Sequence, residues 1–204
     1  VAAVQHSADL VTSTRETQPR LSTMEHALPP SSPKTMATHL HELAQASGLR
    51  TWQMGGKTLL PVVQGGMGVG VSAGGLAGHV ARLGGVGTIS SVDLRRLHPD
   101  LMARTRHLDK EPDARQQIDA ANLTALDREI HRARVLSQGR GLIAVNVMKA
   151  LSAYEMYVRQ AFESGADAVV VGAGQPLDLP DLAAEHPQVA LIPILSDARG
   201  VQLV

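Results

Sequence analysis

Along the chain, short runs of consecutive apolar residues alternate with longer stretches in which apolar positions recur every three or four residues. The runs are Leu59–Val63, Val86–Ser90, Leu142–Val147, Ala168–Val171 and Val189–Leu195. Each is short for a helix and most are rich in β-branched residues, so each reads as a buried strand. Between them the spacing predicts a helix over Ala73–Leu83, with Leu76, Val80 and Leu83 on one face. A long helix is expected over Ala114–Ser137, striped by Leu123, Leu126, Ile130 and Ala133. A third starts near Ser152, where Ser152 and Glu155 have the spacing of a capping box, and carries Tyr154, Tyr157, Val158 and Ala161 on its buried face. A short helix is expected from Leu179 to Glu185, and another after Ser196. Residues 92–113 are polar, hold Pro99 and Pro112, and read as an excursion with a turn or two of helix. Strands that alternate with helices and are themselves nearly all apolar predict parallel β/α units with both sheet faces covered.

The amino-terminal part breaks this rhythm. Residues 1–35 mix Ser, Thr, Pro and Gln with scattered charge and sustain no hydrophobic period, which predicts disorder. Asp9, Glu16 and Glu25 argue against a transit peptide, and no apolar stretch supports a secretory signal. A folded domain is therefore expected over residues 36–204. It opens with a helix over Met36–Ala46 that has Leu40, Leu43 and Ala44 on one face and Gly48 as its stop. His39 and His41 are two apart, which points them to different sides of that helix. Gly55-Gly56 lies between two short runs and predicts a hairpin that plugs the underside of the sheet.

Composition narrows the chemistry. The 204 residues include 19 Lys plus Arg and 19 Asp plus Glu, so no net field favours nucleic acid or an anionic membrane. There are no cysteines, which excludes disulfides, thiolate metal sites and a Cys nucleophile. The aromatics are one Trp, two Tyr and one Phe, so the core has to be built from Ala, Val, Leu and Ile. The histidines show no metal-ligand spacing. No apolar run approaches the roughly 20 residues of a membrane span, and a soluble, cytoplasmic protein is expected.

The candidate chemistry sits where the first strand ends, at Gln64-Gly65-Gly66-Met67-Gly68-Val69-Gly70. In α/β proteins ligands bind at the carboxyl ends of strands, and glycine lets backbone approach a flat or anionic group. One reading is a Rossmann NAD-binding domain. Gly68-Val69-Gly70-Val71-Ser72-Ala73 fits G-x-G-x-x-A between strand and helix, and Asp93 follows the next strand. That motif begins several residues after the strand, however, and leaves Gln64 to Met67 without a role.

A second reading accounts for those residues. Pro61-Val62-Val63-Gln64-Gly65-Gly66-Met67 resembles the first-strand signature of the nitronate monooxygenase (2-nitropropane dioxygenase) family. Leu83–Ile89, Val145-Asn146-Val147-Met148, Gly172-Ala173-Gly174-Gln175-Pro176 and Ile192–Ser196 resemble its next four strand segments, in order. The resemblance covers about residues 50–204. It implies an FMN-binding (β/α)8 TIM barrel of which about five β/α units are present, such barrels having roughly 250 residues. It further implies FMN-dependent oxidation of alkyl nitronates by O2 to a carbonyl compound and nitrite. The cofactor-binding residues it implies are Gln64, Gly65, Gly66, Met67, Asn146, Gly172, Gly174 and Ser196.

The match has gaps. The family's active-site His belongs to a Gly-Gly-His motif after the fifth strand's helix, and no Gly-Gly-His occurs among these 204 residues. No catalytic residue is assigned on this basis. The expectation for this chain is a truncated unit that binds FMN poorly and lacks turnover. Two further readings of the same pattern are an FMN-dependent enoyl-thioester reductase and a non-catalytic fragment acting through exposed strand edges. Read on their own, Gly172 and Gly174 serve packing as well as they clear a ligand, and Ser196 is placed to cap the next helix.

Overall fold

A computed structural model describes residues 33–108 and 113–203. The disorder expected over residues 1–35 therefore falls, up to residue 32, outside the described residues. Helix α1 spans Pro33–Ala46 and so begins three residues before the helix expected from Met36. The hairpin comes next, with β1 at Trp52–Met54 and β2 at Lys57–Leu59 paired antiparallel about Gly55-Gly56. Four β/α units follow. Strand β3 is Val86–Ser90, β4 Leu142–Met148, β5 Ala168–Gly172 and β6 Ala190–Pro193. Helix α2 (Gly74–Arg82) precedes β3, and a 3-10 turn (Leu94–Leu97), α3 (Pro99–Thr105) and α4 (Ala114–Ser137) join β3 to β4. Helices α5 (Tyr154–Glu163), α6 (Leu179–Leu182) and α7 (Ala198–Leu203) follow β4, β5 and β6.

The protein is α/β, with a four-stranded parallel sheet in the sequential order β3-β4-β5-β6. Sequential order means that every crossover steps in the same direction. Right-handed crossovers then put all the helices on one face. The side chains follow. Ile89, Ile143, Val145, Val147, Val169 and Val171 are buried with Leu126 and Ile130 of α4, Tyr157 and Val158 of α5 and Leu179 of α6. The alternate residues Val86, Leu142, Ala144 and Ala168 face the other way and meet Leu59, Trp52 and Met54 of the hairpin. Lys57 fastens the hairpin there by an ion pair of 3.1 Å to Asp167, whose carboxylate also accepts from the Ile143 amide at 2.8 Å.

Both sheet faces were expected to be covered. One is covered by helices, and the other only at its amino end, by the hairpin. Val170, Ala190 and Ile192 on that second face are consequently half-buried, and β6 is half-exposed along its whole length. The first expected strand is also reduced. Of Leu59–Val63 only Leu59 lies in a strand, that of the hairpin. Residues 62–64 keep a parallel pairing with β3 through Val86 N to Val62 O and Gln64 N to Val86 O, both 2.9 Å. Pro61 has no N–H to extend this ladder, and Val62 and Val63 on the open sheet edge are exposed.

The helix faces divide in an informative way. Helix α5 buries Tyr154, Tyr157, Val158 and Ala161 as its stripe predicts. Helix α2 does not: Leu76 is exposed, and the buried face is Gly74, Ala77, Gly78 and Ala81. Small residues let α2 lie against α4 at a separation no larger side chain permits. A Cβ on Gly78 would stand 2.7 Å from that of Leu136. Ser152 is not the cap of α5, which starts at Tyr154; its hydroxyl accepts instead from Arg115 on α4. At α7, Asp197 accepts from the Gly200 amide at 2.8 Å and so fills the capping role expected of Ser196.

Among the described residues, no helix is long and apolar enough to cross a membrane.

Candidate functional site

The glycine loop, residues 65–73, leaves the sheet edge and folds back over the carboxyl ends of β3 and β4. Its shape comes from two polar side chains. Gln64 continues the strand by proxy: Thr88 N donates to its Oε1 at 3.0 Å, and its Nε2 donates to Thr88 O at 3.1 Å. An amide side chain thus supplies the rung that backbone would have made. Ser72 is the second organiser and is fully buried. Its hydroxyl donates to Gly65 O at 2.9 Å and accepts from Met67 N at 2.8 Å and Gln64 Nε2 at 2.9 Å. The chain closes around it, with Ser72 N donating to Met67 O and Ser90 N donating to Ser72 O, each 2.9 Å.

This geometry sets Gly66 directly on Asn146. A Cβ on Gly66 would lie 2.6 Å from the Asn146 Cβ and 3.1 Å from its Nδ2, so only glycine fits there. Asn146 projects from β4 on the face away from the helices. Its ladder neighbours are Ser90 on β3 and Val170 on β5. The Asn146 side chain is half-buried and makes no hydrogen bond among the described residues. Its amide therefore offers two donors and an acceptor beside a loop stripped of side chains. Met67, by contrast, is 63 % exposed, as are Val69 and Val71 in large part.

The other sequence-derived positions gather at the far side of the same sheet end. Gly174 and Ser196 line one cavity of about 310 Å³ with Ala173, Gln175, Ile194, Leu195 and Gly200. Gly172 ends β5 and has the Ile194 side chain 3.3 Å from where its Cβ would be, so its smallness admits Ile194. Gly174 has φ +144° and leaves room for the Lys149 stem, 2.9 Å from its would-be Cβ. Lys149 itself is engaged. Its ammonium lies 2.7 Å from both Asp178 carboxylate oxygens and 4.0 Å from the centre of the Tyr154 ring. Tyr154 is buried, and desolvation, then the nearby Asp178 and Glu155 charges, push its phenol up to about 12. Tyr157, on the same helix, is pushed up to about 12 by burial and then by Asp119.

The sequence-derived residues therefore form two groups along one edge: Gln64 to Met67 with Asn146, and Gly172 and Gly174 with Ser196. Within the first group Gln64 is a structural brace and Asn146 is the group open to a ligand. Two positions that shape the glycine loop escaped the sequence reading. Ser72 looked like one more small residue of a glycine-rich turn. Glu129 lies three residues after Leu126 and four before Ala133, on the apolar stripe of α4, and its charge in that stripe was the available signal.

The Rossmann features fare differently. In the classic dinucleotide fold the first strand is central, whereas here the first parallel segment, residues 62–64, is at the edge. Asp93, the ribose candidate of that reading, is held by Arg95 at 2.9 Å and by Arg96. No protein-family model matches the chain, and no curated protein matches it.

Proposed function

We propose that this chain forms part of an FMN-dependent (β/α)8 barrel that oxidises alkyl nitronates with O2 to a carbonyl compound and nitrite. The observation that carries the reading is the pairing of Gly66 with the unengaged Asn146 amide at the carboxyl end of a sequentially ordered parallel sheet. A TIM barrel has that strand order, has all its helices outside, and keeps its sites at the carboxyl end. The isoalloxazine ring is flat and needs backbone free of Cβ atoms on one side, with a donor-acceptor group at its pyrimidine edge. Gly65, with nothing within 4 Å of where its Cβ would be, supplies the first requirement and Asn146 the second. The exposed Met67 supplies apolar cover that a bound ring would bury.

FMN, when bound, supplies the electron acceptor for the nitronate and the route to O2. The share of this chain is to seat and orient the ring and to exclude water at its edge. Gly174 and Ser196 border a cavity large enough for a small substrate. A base is not assigned: His79 is engaged with Gly75 O, and His98 lies against Glu129 on the helix side. Fluorescence titration of FMN with the purified chain tests the proposal. The expected result is weak saturable quenching, with a Kd of roughly 0.1 mM or about 5.5 kcal/mol, and no nitrite release from a nitronate. Absence of quenching at millimolar chain, or tighter binding of NAD than of FMN, overturns it. Rapid bleaching of bound flavin by a reduced nicotinamide would move the assignment to an enoyl-thioester reductase.

A further inference from the structure

We infer that Glu129 is a positioning residue for the glycine loop, its buried carboxylate acting from behind the sheet as a latch on the loops after the first two parallel segments. The residue is 2 % exposed, in the middle of α4. One oxygen, Oε2, accepts from the Gly74 amide at 2.7 Å, at the first residue of α2 and the exit of the glycine loop. The other, Oε1, lies 3.2 Å from His98 Nε2, where the loop after β3 enters α3. Gly74 N is one of the amides a helix leaves without an internal partner, and a carboxylate there is favoured by the helix dipole.

A buried carboxylate is costly unless hydrogen-bonded; the Gly74 amide supplies that bond, and His98 Nε2 packs against the other oxygen outside hydrogen-bond geometry. Glycine is required at 74, since a Cβ would stand 2.3 Å from Glu129 O. A second contact ties the same two loops: a Cβ on Gly70 would lie 2.9 Å from Leu97 Cδ2. Arg132 stands 4.0 Å from Oε2 on the exposed side of α4 and supplies a positive charge near the carboxylate. With the latch closed, Ser72 is held two residues from Gly74, where it bonds Gly65, Met67 and Gln64. The position of Gly66 over Asn146 is the downstream consequence. That this loop faces a ligand rests on the proposed function; that Glu129 holds it does not.

Hydrogen exchange of the full chain, followed by peptide mass spectrometry without flavin, tests the latch. In Glu129→Ala, residues 65–74 are expected to exchange about tenfold faster while β4 keeps its protection. Glu129→Gln retains an acceptor for Gly74 N and an amide to face His98, and is expected to restore protection to within about threefold of the parent. Equal acceleration in β4 and the loop, or an unchanged loop, overturns the inference. If Glu129→Ala does not fold, His98→Ala serves with the same readout. It is expected to loosen residues 65–74 and 91–98 together, and an unaffected loop 65–74 overturns the inference. Failure of the parent chain to quench FMN fluorescence counts against the flavin reading alone.

Discussion

The two faces of the parallel sheet are filled by different chemistry. Toward the helices, Ile89, Ile143, Val145, Val147, Val169 and Val171 are closed off completely in one apolar cluster. On the opposite face the same strands carry Thr88, Ser90, Asn146 and Gly172 toward their carboxyl ends. The amino ends of that face are sealed by the hairpin and the carboxyl ends are left to the glycine loop. One face is therefore the source of stability, and the other carries the groups that the proposed function assigns to recognition, within strands only four to seven residues long. The lesson is that period-two alternation persists in strands that look uniformly apolar, and its polar members lie on the face away from the helices.

Substitutions can break this contrast in order of expected effect. Ile143→Ala on the helix face removes a fully buried side chain and is expected to lower unfolding stability by about 3 kcal/mol in chemical denaturation, with flavin affinity following only the folded fraction. Gly66→Val on the other face forces the loop off Asn146. FMN affinity should fall at least about tenfold, or about 1.4 kcal/mol, with a much smaller change in unfolding midpoint. Asn146→Ala leaves the loop in place and removes only the amide, for an expected loss of about 1 kcal/mol in FMN titration. Equal effects of Gly66→Val and Ile143→Ala on stability would erase the distinction between the faces.

The alkaline limb of stability sharpens the same contrast from the helix side. Tyr154 and Tyr157 both have folded-state values raised from 10 to about 12 by burial. A raised phenol favours the folded state below the unfolded value of 10, and that contribution disappears as pH climbs toward 12. Denaturant midpoints are therefore expected to fall between pH 10 and 12, with a shallower fall in Tyr157→Phe. The exposed Glu155–Arg159 pair on α5, at 2.8 Å, stands at the other extreme: Arg159→Ala is expected to change stability by no more than about 0.5 kcal/mol.

Comparing α2 with α5 shows where reading from sequence stops. The stripe on α5 was legible because Tyr154, Tyr157 and Val158 bury enough apolar area to dictate which face turns inward. On α2 the large residues Leu76, Val80 and Leu83 suggested a face just as plainly, yet the buried one is made of glycine and alanine. Close approach to α4 and β3 decided it, and that distance is a property of the assembled layers. Val80 and Leu83 instead line an apolar groove of about 430 Å³ with Leu40 and Leu43 of α1.

The sequence by itself determined the α/β class, the approximate bounds of the four strands of the parallel sheet, the hairpin about Gly55-Gly56, and the long helix from Ala114 to Ser137. These rest on apolar periodicity and turn chemistry, which act over a few neighbouring residues. Only the tertiary structure decided that residues 62–64 would be an edge pairing rather than a full strand, that Gln64 would brace it with a side chain, and that Glu129 would reach Gly74. Those outcomes join positions 24 and 55 residues apart, and local pattern carries no information about which distant groups packing will bring within hydrogen-bond reach.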